Sequence, residues 1–250
     1  LLLCFLKIIK DVKSIYFWLM AQKMTQIDLE AKLAALRSAA CDDMPTPELA
    51  IMTRTTARLR RSGILQRCLQ VGESVPNFTF RDARNVERDL YGLLIERPVV
   101  VNFFRGFWCA FCKTELEAYI AAKAELKLLG CYYLAISPQN LPLENDLALS
   151  EQNDEDDDSG LFQVLFDKNN VIAKLFDLAY KLEPEEIALF EKWGLQLDVV
   201  NESANFELPL PATYLINQDR TIGYQFVDAD FRTRCCPEDL IEEVRALMRT

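Results

Sequence analysis

Apolar residues recur along this chain in two rhythms. Between positions 25 and 69 they fall at helical spacing: Ile27, Leu29, Leu33 and Leu36, then Leu49, Met52, Leu59, Ile64, Leu65 and Leu69. The stretch Asp42-Asp43-Met44-Pro45-Thr46-Pro47 divides them into two helices. Thr46 suits the N-cap of the second, with Pro47 at its first position. Arg54, Arg58 and Arg61 share one face of that helix, which reads as solvated, with docking as the alternative. Gly63 bends or ends it.

From Val71 the rhythm shortens. Val71 to Pro76 is a turn-rich linker, Asn77 to Phe80 alternates as a short strand, Arg81 to Val86 turns, and Glu87 to Leu94 reads as a short helix. Val99-Val100-Val101-Asn102-Phe103-Phe104 has the composition of a buried strand. After the kink at Arg105-Gly106, a tract without glycine or proline predicts one long helix to Leu129, ended by Gly130. Cys131 to Ser137 is a second buried strand. Strand, helix and strand within forty residues predict a parallel βαβ unit. Further on the pattern predicts a helix from Leu141 to Gln152, a strand from Phe162 to Phe166, and helices from Val171 to Phe176 and from Pro184 to Trp193. A strand after Pro211 and its return from Ile222 to Val227 form a hairpin, and Pro237 to Met248 close the chain as an amphipathic helix.

The chemistry concentrates where the first strand hands over to the long helix, in Trp108-Cys109-Ala110-Phe111-Cys112. Unpaired backbone N–H groups and the helix dipole favour negative charge at a helix N-terminus. A thiolate is the anion cysteine can offer there. Lowering its pKa from ~8.5 to ~6.5 raises the thiolate fraction at neutral pH from about 3% to about 75%. Cys112, one turn on, is placed to close a small disulfide ring with Cys109. Half a zinc site and two inert core cysteines are the alternatives. Zinc needs four ligands, and the chain offers neither a second CxxC nor any histidine, with only the distant Cys235-Cys236 to complete a set.

The absence of histidine also removes a Ser-His-Asp triad and a Cys-His pair. Any nucleophile must be activated by the helix terminus or by lysine and arginine. Net charge is −10, divided unevenly: residues 1–81 carry 12 basic and 7 acidic side chains, the remainder 16 and 31. An acidic catalytic portion argues against nucleic acid as partner. The eight cysteines show no disulfide-scaffold spacing, which points to a reducing, cytoplasmic setting. Residues 1–20 are apolar but broken by Lys7, Lys10, Asp11 and Lys13, too charged for a membrane span. A mis-called start, with Met20 or Met24 as the true one, is the favoured reading, and an interfacial helix the other. The acidic run Asp154 to Asp158 lacks calcium-loop spacing and reads as a solvated loop.

The element order strand, WCxxC helix, strand, helix, strand, helix, hairpin, helix resembles the thioredoxin fold over about 71–250. The implied fold class is α/β: a central mixed sheet flanked by helices, with a helical N-terminal extension over 25–69 and a non-native segment over 1–24. The peroxiredoxin-like branch of the AhpC/TSA (alkyl hydroperoxide reductase/thiol-specific antioxidant) family resembles the chain more closely. The marks are VGESVPNF, FFRGFWCAFC, AISPQ, LPLPATYLI and FVDADFRTR. The resemblance implies that Cys109 is the peroxidatic and Cys112 the resolving cysteine, and that Pro211, as a cis-proline just ahead of Thr213, faces them. Asn102 and Gly106 stand where typical peroxiredoxins hold a proline and a threonine or serine. Their distant activating arginine would fall near Pro211 and is missing. Arg105 is the nearest substitute, or else a solvated turn residue. Trp108 and Phe111 suit an apolar platform over Cys112, Lys113 could add positive potential, and Glu115 is a candidate proton relay.

The resemblance implies a thiol-dependent peroxidase acting on hydrogen peroxide or alkyl hydroperoxides, regenerated by thioredoxin or a similar dithiol. It implies no metal or organic cofactor, and homo-oligomerisation stays open. Two alternatives use the same pair: a protein-disulfide oxidoreductase, favoured by the missing threonine and arginine, and a redox-sensing module that docks through 25–69.

Overall fold

The computed structural model describes residues 29–82, 85–140 and 161–249. The expectations for residues 1–24, for a helix over 141–152 and for the acidic run 154–158 lie outside them. Among the described residues no helix is long and apolar enough to cross a membrane.

Helices α1 (29–43), α2 (Thr46–Arg61) and α3 (Ile64–Arg67) form the extension. Strands β1 (Thr79–Arg81) and β2 (Glu87–Asp89) pair antiparallel, and α4 (Leu90–Glu96) follows. Next come β3 (Val99–Phe103), α5 (Ala110–Ala121), α6 (Lys123–Leu128), β4 (Tyr132–Ser137) and β5 (Phe162–Phe166). The chain continues through α7 (Val171–Leu175), β6 (Ala179–Lys181), α8 (Pro184–Lys192), α9 (Leu197–Val200) and β7 (Glu207–Pro209). It ends with β8 (Ala212–Ile216), β9 (Ile222–Val227) and α10 (Pro237–Leu247).

The central sheet has the order β5-β4-β3-β8-β9, with β3, β4 and β5 parallel and β8 and β9 antiparallel. This is the mixed thioredoxin-like sheet that the sequence predicts. Every residue of β3, β4 and β8 is buried, as expected of strands covered on both faces. Alternation along β3 assigns the faces. Val99, Val101 and Phe103 join one core with Phe176 and Tyr214. Val100 and Phe104 join the other, with Leu116 and Tyr119 of α5 and Leu240 and Val244 of α10. Asn102 shares the second face, so its amide is aimed at α5.

The structure corrects several sequence expectations. The long helix breaks at Ala122, where α5 gives way to α6. Residues 87–89 pair as β2, so helix α4 starts at Leu90, capped by the Asp89 carboxylate, which accepts from the Gly92 N–H at 3.1 Å. The N-cap of α2 is Pro45 instead of Thr46, with Pro47 in its first turn. The small sheet of β6 and β7 and the short α9 carry no periodic signal in the sequence.

The arginine face of α2 keeps Arg54 and Arg61 exposed, as a solvated face would, but it also meets α8. Arg54 Nη2 pairs with Glu185 Oε2 at 2.7 Å, and Arg58 Nη2 with Glu186 Oε2 at 2.6 Å. Glu186 is 3% exposed, accepts from Thr55 Oγ1 at 2.8 Å, and closes a capping box with Glu183 at the start of α8. Lys192 Nζ and Trp193 Nε1 reach back to Glu48 at 2.6 and 2.7 Å. Leu29 and Leu33 of α1 are buried in the core around α5 and α10. The extension is therefore fastened to the domain on two sides. Replacing Glu186 by alanine strips a buried hydroxyl and a helix start of their partner. It is expected to cost about 2 kcal/mol in urea unfolding, while Glu185→Ala, an exposed pair, leaves the midpoint unchanged.

Candidate active site

The site forms at the carboxyl end of β3, between a parallel neighbour, β4, and an antiparallel one, β8. Open α/β sheets form crevices at such switch points. Gly106 allows the turn that follows: its φ is +147°, and a Cβ there would lie 2.3 Å from Trp108 Nε1 and 2.7 Å from Gln139 Oε1. Gln139, two residues past the end of β4, accepts from the Phe107 N–H at 2.6 Å and ties the turn to the end of the sheet.

Cys109 is the N-cap of α5, with extended backbone (φ −92°, ψ 111°), and is 5% exposed. Cys112 is fully buried one turn along. The Cys112 thiol donates to the Cys109 sulfur, the strongest of the influences that lower its pKa to about 5. Burial opposes this, and the charges of Arg105 and Arg234 and the Cys112 N–H reinforce it. The Cys112 thiol is pushed well above its ordinary value, first by burial and then by the proton and charge it shares with Cys109. The two sulfurs titrate as a pair, the outer anionic and the inner protonated.

Arg105 is 2% exposed, which rules out the solvated turn. Its guanidinium lies 4.7 Å from the Trp108 ring centre, 4.4 Å from Phe231 and 5.7 Å from Phe190. A desolvated cation over an aromatic face gains up to about 2 kcal/mol. Among the described residues it has no carboxylate partner, so its charge acts on the Cys109 sulfur. Arg234 approaches from the segment between β9 and α10: Nη2 donates to Cys112 Sγ at 3.2 Å, and Nε lies 2.7 Å from Glu115 Oε2. Asn102 Nδ2 donates to Glu115 Oε1 at 3.1 Å and to Thr213 Oγ1 at 3.0 Å. The last contact follows from register, since Asn102 faces Thr213 across β3 and β8.

Beside Cys109 opens a cavity of about 400 Å³. Arg105, Trp108, Phe111, Phe190 and Phe231 wall it, and Met44, Leu49 and Met52 of the extension line it too. The structure thus gathers Arg105, Trp108, Cys109 and Cys112, with Thr213 beneath them through Asn102. Pro211 is buried just ahead of β8 and is not part of the cavity wall. Sequence reasoning missed Arg234, Gln139 and the aromatic pair Phe190 and Phe231. Arg234 lies in the FVDADFRTR stretch, but nothing local marks it as a partner of a cysteine 122 positions away. Among the described residues no cluster of three or more histidine, cysteine, aspartate or glutamate side chains is arranged to hold a metal.

A model of the AhpC/TSA family matches residues 71–225, more than half of the chain. The chain belongs to the AhpC/TSA family. Among solved structures it is similar to peroxidoxin BcpB from Mycobacterium tuberculosis, at 17% identity and a TM-score of 0.50 over 72% of this chain and 98% of that one. The mitochondrial 1-Cys peroxiredoxin of yeast aligns at 15% identity and a TM-score of 0.53, over 73% of this chain and 78% of that one. A cysteine-to-serine mutant of peroxiredoxin 6 of Arenicola marina gives 15% and 0.53, over 72% and 74%. At these identities the likeness concerns the fold. No curated protein matches the chain. AhpC/TSA membership supports thiol peroxidase chemistry in general terms.

Two measurements test the site. Alkylation of Cys109, followed by mass spectrometry against pH, is expected to show its inflection at about 5. An inflection at about 8.5, the ordinary thiol value, overturns the assignment. Gly106→Ala is expected to displace Trp108 or Gln139 and to reduce Cys109 reactivity by about tenfold or more, because the substituted residue must also hold a left-handed φ.

Proposed function

We propose that this AhpC/TSA protein is a thiol peroxidase that works through a Cys109–Cys112 dithiol/disulfide cycle. The observation that carries the reading is a buried, anionic Cys109 sulfur open to an apolar cavity whose wall holds the Arg105 guanidinium, which has no carboxylate partner among the described residues. The thiolate attacks the terminal oxygen of a hydroperoxide, the O–O bond breaks, and the alkoxide or hydroxide leaves as alcohol or water on taking a proton. Cys109 is left as a sulfenic acid. Arg105 offers positive charge to the oxygens as that negative charge develops. Cys112 condenses with the sulfenic acid, releasing water, and an external dithiol such as thioredoxin reduces the disulfide. The apolar walls accommodate an alkyl substituent, which favours organic hydroperoxides as substrates.

A second reading is favoured by Gly106, which supplies no hydroxyl at the position where peroxiredoxins hold threonine or serine. The same thiolate could act on a polypeptide disulfide. Peroxide consumption and insulin reduction measured side by side separate the two. The peroxidase reading expects Cys109→Ser to abolish peroxide loss and Cys112→Ser to complete one turnover and accumulate sulfenic acid. Insulin turnover without peroxide turnover overturns it. Arg105→Leu is expected to lower the peroxide rate by about 10²-fold, the scale for removing one transition-state charge partner.

A further inference from the structure

Four buried polar residues under the cysteine pair take no part in breaking the O–O bond: Asn102, Glu115, Thr213 and Arg234, exposed by 0, 1, 1 and 5%. Their arrangement is specific. One guanidinium faces two groups that can each carry negative charge, Cys112 through Nη2 and Glu115 through Nε. The two sit one turn apart on the same side of α5. Asn102 fixes the other carboxylate oxygen. The remaining nitrogen, Nη1, donates to the carbonyls of Phe231 and Thr233, which holds the guanidinium in place. A buried site of this kind supports one negative charge against Arg234 more readily than two or none. Once the Glu115 carboxyl has lost its proton, either the carboxylate or the inner sulfur is the anion.

We propose that Arg234 and Glu115 form a charge-exchange pair for Cys112: Glu115 takes the proton that the Cys112 thiol gives up, and Arg234 passes from countering the carboxylate to countering the thiolate. Arg234 touches the reacting sulfur and is a catalytic residue of disulfide closure. Asn102 is a positioning residue that acts through Glu115. The inference rests only on Cys112 closing a disulfide on Cys109, which the peroxidase and protein-disulfide readings share.

In the peroxidase cycle the Cys112 thiol protonates Glu115, the thiolate attacks the Cys109 sulfenyl sulfur, and the S–S bond forms as the S–O bond breaks. Cys112 is oxidised and Cys109 reduced. The leaving hydroxide takes one proton and departs as water, and Glu115 returns to carboxylate, so the protons balance. Burial, with the neighbouring Cys112 charge, raises the Glu115 pKa to about 8 against the pull of Arg234 and Asn102, which places its titration where a thiol can exchange with it. The other groups around the pair are the Cys109 thiolate, Arg105, the buried Tyr119, Tyr133 and Cys235, and the half-buried Cys236. Burial raises those last four, Cys235 to about 12 and Cys236 to about 11, so they stay neutral while Glu115 titrates.

The test needs no peroxide. In protein with Cys4, Cys41 and Cys236 replaced by serine, Cys109 is converted to its mixed disulfide with 5-thio-2-nitrobenzoate. Attack by Cys112 breaks that bond and releases the coloured thiolate, and the release rate is followed by stopped flow across the neutral and mildly alkaline range. The wild-type profile is expected to inflect at about 8. Glu115→Gln is expected to remove that inflection, and Arg234→Met to slow release by about tenfold or more at every pH. Arg234→Lys, which keeps the charge, is expected to recover most of the rate. A wild-type profile without the inflection, a Glu115→Gln profile that keeps it, or Arg234→Met closing at the wild-type rate in natively folded protein overturns the proposal. Loss of peroxidase activity with this pattern intact refutes the substrate and leaves the proton exchange standing.

Discussion

A negative sulfur with almost no contact with water persists only if fixed dipoles and charges replace its lost hydration. Cys109 is 5% exposed, and burial alone would keep it protonated. The Cys112 thiol, the guanidinium groups of Arg105 and Arg234, the Cys112 N–H and the start of α5 outweigh that cost. Everything else in the region keeps these donors in place. Gly106 lets the chain turn, Gln139 pins it beside β4, and the aromatic rings of Trp108 and Phe231 hold Arg105, with no carboxylate among the described residues to cancel its charge.

The helical extension belongs to this environment. The Arg58–Glu186 salt bridge and hydrogen bonds to Glu48 hold α2 against α8 and the Trp193 corner. Met44, Leu49 and Met52 thereby line the cavity in front of Cys109. A docking arm that reaches for another protein would leave this face open; here the chain itself occupies it. The AhpC/TSA domain supplies the sulfur, and the extension supplies part of the apolar wall that decides what can approach it.

The domain is that of the AhpC/TSA family, and within it the two cysteines stand one turn apart on a single helix with the Asn102 amide beneath them. In that setting the inner sulfur has its own requirement: a thiol in a dry site must shed its proton to react. The Arg234–Glu115 contact meets that requirement from two distant parts of the chain, β3 and α5 on one side and the segment after β9 on the other.

Local signals were enough for the sheet strands, the cap position of Cys109 and the placement of Cys112, because periodicity, β-branched runs and helix boundaries are carried by neighbouring residues. They also gave the family and the βαβ core. They placed the second helix start one residue late, missed the break at Ala122, and left out the partners of the arginine face of α2, since nothing near Arg54 or Arg58 announces Glu185 and Glu186 some 131 and 128 positions away. Arg105 could not be told from an exposed turn residue until the rings of Phe190 and Phe231 were brought around it. Sequence alone determined which sulfur heads a helix and which follows it. Only the tertiary structure decided which charges surround them, because a charge pair buried by folding is set by where separate segments meet, and a single arginine or glutamate carries no periodic trace of its partner.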